Sequence, residues 1–201
     1  MNLGRRDVVL ALVPKDRGWI VDVGADHAEV ARALGAIATE REPHRARRSG
    51  VPWVIADGLS CFREVPVAVI AGMGARTILA ILDAGPRPDV LVAHAQDDPE
   101  LLRVGLAARG WRLEAEALAP EAQGFAAVMR AVAGEEPSSG LDLAFGPRLR
   151  EHGDPHLVAS LGQQRARWAK VADDTRTAAP AVCADATARV AHLDAWLAEA
   201  R

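Results

Sequence analysis

The chain has 201 residues, half of them apolar and a quarter charged, with a formal net charge of −3. That is the composition of a soluble globular protein with one real core and room for an appendage. It excludes a globally basic nucleic-acid binder, so any nucleic-acid surface must be a local patch. Cys61 and Cys183 lie far apart and fit no metal-ligand spacing. No run approaches the ~20 apolar residues of a membrane span, and a cytoplasmic protein is expected.

Taken in order, Val8, Val9, Leu10, Leu12 and Val13 predict a short helix ended by Pro14. Trp19-Ile20-Val21 then begins a buried strand that stops at Gly24. Asp26 is expected to cap a helix from about His27 to Leu34. A strand, a tight glycine turn and a helix in succession form the first turn of a doubly wound sheet, where cofactors bind outside the carboxyl ends of strands. One glycine and two carboxylates, Asp22 and Asp26, suit a cationic group such as the sulfonium and amino group of S-adenosylmethionine better than a pyrophosphate. A nicotinamide dehydrogenase is disfavoured on the same ground.

Ala36 to Glu40 reads as the second strand. Glu40 follows Gly24 at an interval near the ~20 residues usual for an acid that holds ribose hydroxyls. Arg41, Arg45, Arg47 and Arg48, with His44 between them, make the densest basic cluster and the first candidate for phosphate contact. Trp53 to Leu59 is a third strand and turn, with Asp57 placed to accept from an adenine amino group. Val65 to Ala71 is the most strand-like run. It opens into Gly72-Met73-Gly74-Ala75, where glycines allow close approach of a ligand, and then a helix that stops near Gly85-Pro86. Asp89 to Ala95 is the next strand. Asp97-Asp98-Pro99 caps a helix from about Glu100 to Arg109. Trp111 to Leu118 and Phe125 to Val132 predict two further strands around a turn at Pro120–Gly124, an antiparallel pair at the end of an α/β sheet.

Gly134 to Gly140 is a linker by composition. Beyond it, Leu157, Leu161, Trp168 and Val171, then Val182, Ala186, Val190, Leu193 and Leu197, predict two amphipathic helices packed as an antiparallel pair. The expected division is an α/β domain over residues 1–133 and a helical hairpin over 134–201.

Several segments together resemble one family, the bacterial tRNA adenine-N1-methyltransferases known as TrmK. They are Asp22-Val23-Gly24-Ala25-Asp26-His27-Ala28, Asp57-Gly58-Leu59 and Ala71-Gly72-Met73-Gly74. Leu102-Arg103, Gly110, Glu116, Glu121 and Gly146-Pro147 continue the resemblance. It implies a Rossmann-like S-adenosylmethionine-dependent methyltransferase sheet with a C-terminal, coiled-coil-like helical domain, acting on tRNA. It further implies that Asp22, Gly24 and Ala25 line the cofactor site. Glu40 would then hold the ribose, Asp57 and Gly58 the adenine side, and Ala71, Gly72 and Met73 the loop beside the reactive methyl. Asp26, His27 and Gln96 would meet the incoming base. The chain departs from the family pattern more on the substrate side than on the cofactor side, where the connection between Glu40 and Asp57 is shorter than usual. Glu29-Val30-Ala31 stands for Tyr-Leu-Pro, Ala75 for a glycine, and Gln96-Asp97-Asp98 for Gln-Pro-Asn. Two other readings therefore stand beside the first: a methyltransferase for another base or a small molecule, and a non-catalytic member that binds RNA or a partner.

Overall fold

The computed structural model describes residues 3–16, 18–25, 27–42, 50–174 and 179–199. Asp26, Arg45, Arg47 and Arg48 lie outside the described residues. Seven strands form one sheet: β1 (Ile20–Val23), β2 (Ile37–Glu40), β3 (Trp53–Ile55), β4 (Val67–Met73), β5 (Val90–Ala95), β6 (Trp111–Glu121) and β7 (Gly124–Ala133). Their order is β3-β2-β1-β4-β5-β7-β6. The first five run parallel, and β7 enters antiparallel between β5 and β6. Strand order reverses between β1 and β4. That junction is the topological switch point at which an open α/β sheet leaves a crevice.

The described helices are α1 (Arg5–Leu12), α2 (Glu29–Leu34), α3 (Ala75–Ala84), α4 (Pro99–Ala107), α5 (Gly140–Phe145), α6 (Pro147–Glu151), α7 (Leu157–Ala172) and α8 (Pro180–Glu199). None is long and apolar enough to cross a membrane. Val67 to Ile70 of β4 and all of β5 are buried on both faces, which is why they read as continuous apolar runs. One face of the sheet packs Val21, Ile70 and Leu91 against Ile78 of α3 and Leu102 and Leu106 of α4. The opposite face packs Val67, Val69, Val92 and Val128 against Val8 and Val9 of α1.

Three expectations are corrected. The first helix after β1 begins at Glu29, not His27, because Ala28 adopts a left-handed backbone at φ 53°. The terminal hairpin is longer than expected. Its ladder runs out to Glu121 and Gly124, so the turn is only Ala122-Gln123. Two short helices, α5 and α6, occupy the stretch before the helical pair.

The helices beyond Ala133 share the main core, burying Leu157, Leu161, Leu193 and Trp196 with the sheet residues. Buried ion pairs fasten them. Arg103 of α4 donates to Glu116 of β6 at 2.6 Å and to the Ala144 carbonyl of α5 at 2.7 Å. The other Glu116 oxygen accepts from the Arg148 backbone N–H at 3.1 Å. The Arg148 side chain in turn reaches the Leu113 carbonyl at 2.7 Å and Glu136 at 2.8 Å. The Arg103 and Glu116 side chains are 4% and 0% exposed, so removing one charge strands the other in the interior. Glu116→Gln is expected to cost about 3–5 kcal/mol of stability, to be read from urea unfolding. A loss below ~1 kcal/mol would mean that the pair is replaceable by a neutral hydrogen bond.

Candidate functional site

β1, β2 and β4 end on the same side of the sheet, and the turns that follow them surround two openings. The smaller is a cavity of about 280 Å³, lined by Val23, Gly24, Thr39, Glu40, Arg41, Ala56, Asp57, Gly58, Met73, Thr77 and Ile81. Its size is near the ~300 Å³ lower bound for small-molecule sites. The larger is an open groove of about 890 Å³ on the other side of Gly72, between α1, the start of α2 and the β6–β7 turn.

The floor of the small cavity depends on Gly24. Its φ is +65°, and a Cβ there would come within 2.1 Å of the Met73 methyl carbon. Glycine lets the two turns close on each other while the backbone passes the cavity. The turn is tied to β2, since the Gly24 and Ala25 N–H groups donate to the Thr39 carbonyl at 2.8 and 3.3 Å. Glu40 ends β2, and its Oε1 accepts from the backbone N–H of Arg41 and Glu42 at 2.9 and 3.3 Å. These bonds orient the carboxylate at the strand end. Arg41 lies 3.8 Å from Asp57, both well exposed, a geometry that contributes little energy. Thr39 is fully buried and its hydroxyl lacks a partner among the described residues. The lining thus offers two carboxylates, the Arg41 guanidinium and a glycine turn, and the carboxylates can accept from the hydroxyl and amino groups of a nucleoside.

Asp22 sits beneath the turn rather than in it. It is 5% exposed and accepts from the Ala31 N–H of α2 at 2.9 Å. Burial pushes its carboxyl up to about 7, against the opposing pull of that hydrogen bond. Asp97 is a different case. It accepts from the Ala75 N–H at 2.8 Å and from the Asp98 N–H at 2.7 Å. The Ala75 bond first of all holds its carboxyl below the usual range. Asp97 thereby caps α3, while Asp98 caps α4 by accepting from Leu101 at 2.9 Å. Both acids of this loop have structural duties.

Gly24, Glu40, Asp57, Gly58 and Met73 therefore meet at one cavity. Ala71 and Gly72 line the groove, where Gly72 has φ +81° and open space beside its α-carbon. Ala25 is half-buried in the turn, and His27 and Gln96 are exposed and line neither opening. Arg41, expected at nucleic acid, lines the small cavity. Sequence reasoning passed over Thr39, Thr77 and Ile81, and over the groove residues Arg5 and Arg6, and noted Glu29 only as a departure from the family pattern. Arg5 pairs with Glu121 across the groove at 3.1 Å. A threonine directly before the strand-end acid was the available signal for Thr39; the charged residues of α1 carried none.

A family model described as tRNA (adenine(22)-N(1))-methyltransferase matches residues 47–193. No curated protein sequence matches the chain. Among solved structures, Streptococcus pneumoniae Sp1610 is 23% identical with a TM-score of 0.85, over 98% of this chain and 100% of that one. M. capricolum TrmK, solved with S-adenosyl-homocysteine, is 15% identical with a TM-score of 0.81, over all of both chains. The B. subtilis m1A22 tRNA methyltransferase TrmK is 21% identical with a TM-score of 0.78, over 97% and 98% of the two chains. At these identities the likeness is one of fold.

The Asp22 carboxyl gives a pH signature. Folded, it keeps its proton up to about 7; unfolded, it releases it near 3.8. Between those values the unfolded state binds fewer protons, so stability falls as pH rises and levels off above the folded value. Asp22→Asn is expected to remove this component, which chemical unfolding of both proteins across that pH range would reveal as a difference in slope.

Proposed function

This chain belongs to the TrmK family, the tRNA (adenine(22)-N(1))-methyltransferases, and we propose that its two openings divide one methyl transfer between them. In this reading the small cavity takes the adenosine part of S-adenosylmethionine, and the groove takes the target nucleotide. The carrying observation is that Gly24, Glu40, Asp57, Gly58 and Met73 line one cavity at the switch point, while Ala71 and Gly72, just before Met73 in β4, line the groove.

Each residue then has a physical task. Glu40, oriented by two backbone N–H groups, accepts from the ribose hydroxyls. Asp57 accepts from the adenine amino group of the cofactor, and Gly24, Gly58 and Met73 shape the cavity. Asp22 sets the turn by holding α2. Its carboxyl, raised by burial, can ionise when a cation arrives, so it supports the turn and also responds to cofactor charge. Ala71 and Gly72 leave bare backbone between the two openings. Asp26 is assigned to the incoming base; His27 and Gln96, which line neither opening, take no part in this reading. Arg41, Arg45, Arg47 and Arg48 are assigned to phosphate, and Arg41 lines the small cavity.

The cofactor supplies, when bound, an electrophilic methyl group, which the adenine N1 lone pair takes while the C–S bonding pair stays on sulfur. The neutral base already carries that lone pair, so no side chain must remove a proton first. What the protein contributes is proximity and alignment. Because N1 lies on the Watson–Crick edge, the base must be unpaired or flipped out before it enters. The groove has the volume for such a nucleotide and mixed charge along its walls.

Calorimetric titration with S-adenosylmethionine, followed by methylation of unmodified tRNA and mass analysis of its nucleosides, tests this reading. Binding, with 1-methyladenosine as product, is expected. Glu40→Gln is expected to weaken cofactor binding about tenfold, one charge-assisted hydrogen bond lost. Binding without tRNA methylation would move the activity to another substrate, and absence of binding by a folded protein would remove the catalytic reading.

A further inference from the structure

His94 lies near the C-terminal end of β5 and is 3% exposed. It pairs in register with Ala71, so the two side chains share a sheet face, and Ala71 lines the groove. The antiparallel ladder between β5 and β7 ends at Ala93 and Met129. Just past that end, His94 Nδ1 lies 3.1 Å from the Ala127 carbonyl. A carbonyl can only accept, so Nδ1 carries the proton and the neutral ring presents its lone pair at Nε2. That atom is buried and has no partner among the described residues. Native interiors seldom leave such a group unpaired, and the exceptions call for a reason.

We propose that His94 Nε2 accepts a hydrogen bond from the exocyclic amino group of the target adenine. His94 is then a positioning and specificity residue for the transfer. The inference rests on the groove being the site of the target base. Adenine carries its amino group next to N1, so one acceptor fixes the edge that faces the methyl donor. Guanine offers a carbonyl oxygen there and would meet the lone pair with repulsion. The methylated base is cationic, which makes its amino group a stronger donor as the reaction proceeds, so the contact tightens toward the transition state. Burial lowers the basicity of His94, against the effect of the Ala127 carbonyl, and keeps the lone pair available. The charged groups acting on the ring are Arg5 and Glu121. They are the pair that spans the groove, with 47% and 41% of their side chains exposed. His94 itself lies beneath the lining of the groove rather than in it; an exposed pair of this kind contributes little energy, so a base must displace it, at small cost, to reach the ring.

The test uses the full chain, S-adenosylmethionine and two tRNAs that differ only at the target. One carries adenosine and the other purine riboside, which keeps N1 and lacks the amino group. Wild type is expected to favour adenosine by about tenfold or more in kcat/KM, the scale of one buried hydrogen bond. His94→Phe, which keeps a ring and loses the acceptor, is expected to lose that preference with cofactor affinity unchanged. His94→Gln, whose amide oxygen can stand in for Nε2, is expected to restore part of it. A folded His94→Phe that discriminates as wild type does would overturn the proposal, as would wild type that does not discriminate. Should the phenylalanine variant fail to fold, His94→Gln carries the test: since the amino group also raises the nucleophilicity of N1, it is the change in preference between wild type and variant that counts. Cofactor binding without methylation of either RNA would overturn the function above and this inference with it.

Discussion

The fold depends on how the open edge of β6 is closed. An edge strand offers unpaired N–H and C=O groups to any passing chain. Here the Leu113 N–H donates to Glu136 at 2.8 Å and the Leu113 carbonyl accepts from Arg148. Further along, the Leu118 N–H donates to Asp154 at 2.9 Å. Glu116 stands between them, holding Arg103 on one side and the start of α6 on the other. The same charges that satisfy the edge thus bring the C-terminal helices onto the sheet. Once α5 and α6 are seated, Leu149, Leu157 and Leu161 have a core to enter. The ion pairs bring their own desolvation cost. What they confer is one docking geometry for a segment whose short helices would have little stability alone.

A second tie runs to the far end of the tail. Arg189 of α8 makes a double contact with Glu100 in the first turn of α4, at 2.7 and 2.8 Å, and stacks over Trp168 of α7. Glu100 follows the Gln96–Asp98 loop after Pro99. Helix α4 is therefore held at its start by α8 and further along by β6, and the loop before it inherits that rigidity. Asp97, bonded to the first N–H of α3, makes the same loop a clasp between two helices. Substitutions that look like lost substrate contacts in the sequence are, at Asp97 and Asp98, replaced by helix caps.

Much of this was legible in the residues because it is local. The buried strands β4 and β5 announce themselves as apolar runs. Gly24, Glu40, Asp57 and Met73 could be read as site residues because each sits at a strand end, where α/β sheets bind ligands. What escaped was non-local or conformational. Nothing marks Ala28 as left-handed, so the start of α2 was misplaced. Six- and five-residue helices that contain or adjoin Gly140, Gly146 and Pro147 carry too little periodicity to be seen. Arg103, Glu116, Arg148 and Glu136 are far apart in the chain, and their pairing exists only after the sheet has formed. His94 looked like any strand residue. Its unusual position arises where one ladder stops, a fact of pairing rather than of composition.

The reversal of β7 has a further consequence. Because β7 runs against β5, and β6 against β7, the two-residue turn at Ala122-Gln123 comes up on the same side as the ends of the parallel strands. It stands as one wall of the groove, borne on its own ladder beyond the part of the hairpin that pairs with β5. Residues can be added or removed at such a tip without shifting any pair below it. The small cavity, by contrast, is lined from several elements at once, by residues at the ends of β1, β2 and β4, the turn after β3 and the helix α3. The shape of the groove wall can therefore change by editing the hairpin tip alone, while the turns at the switch point stay as they are.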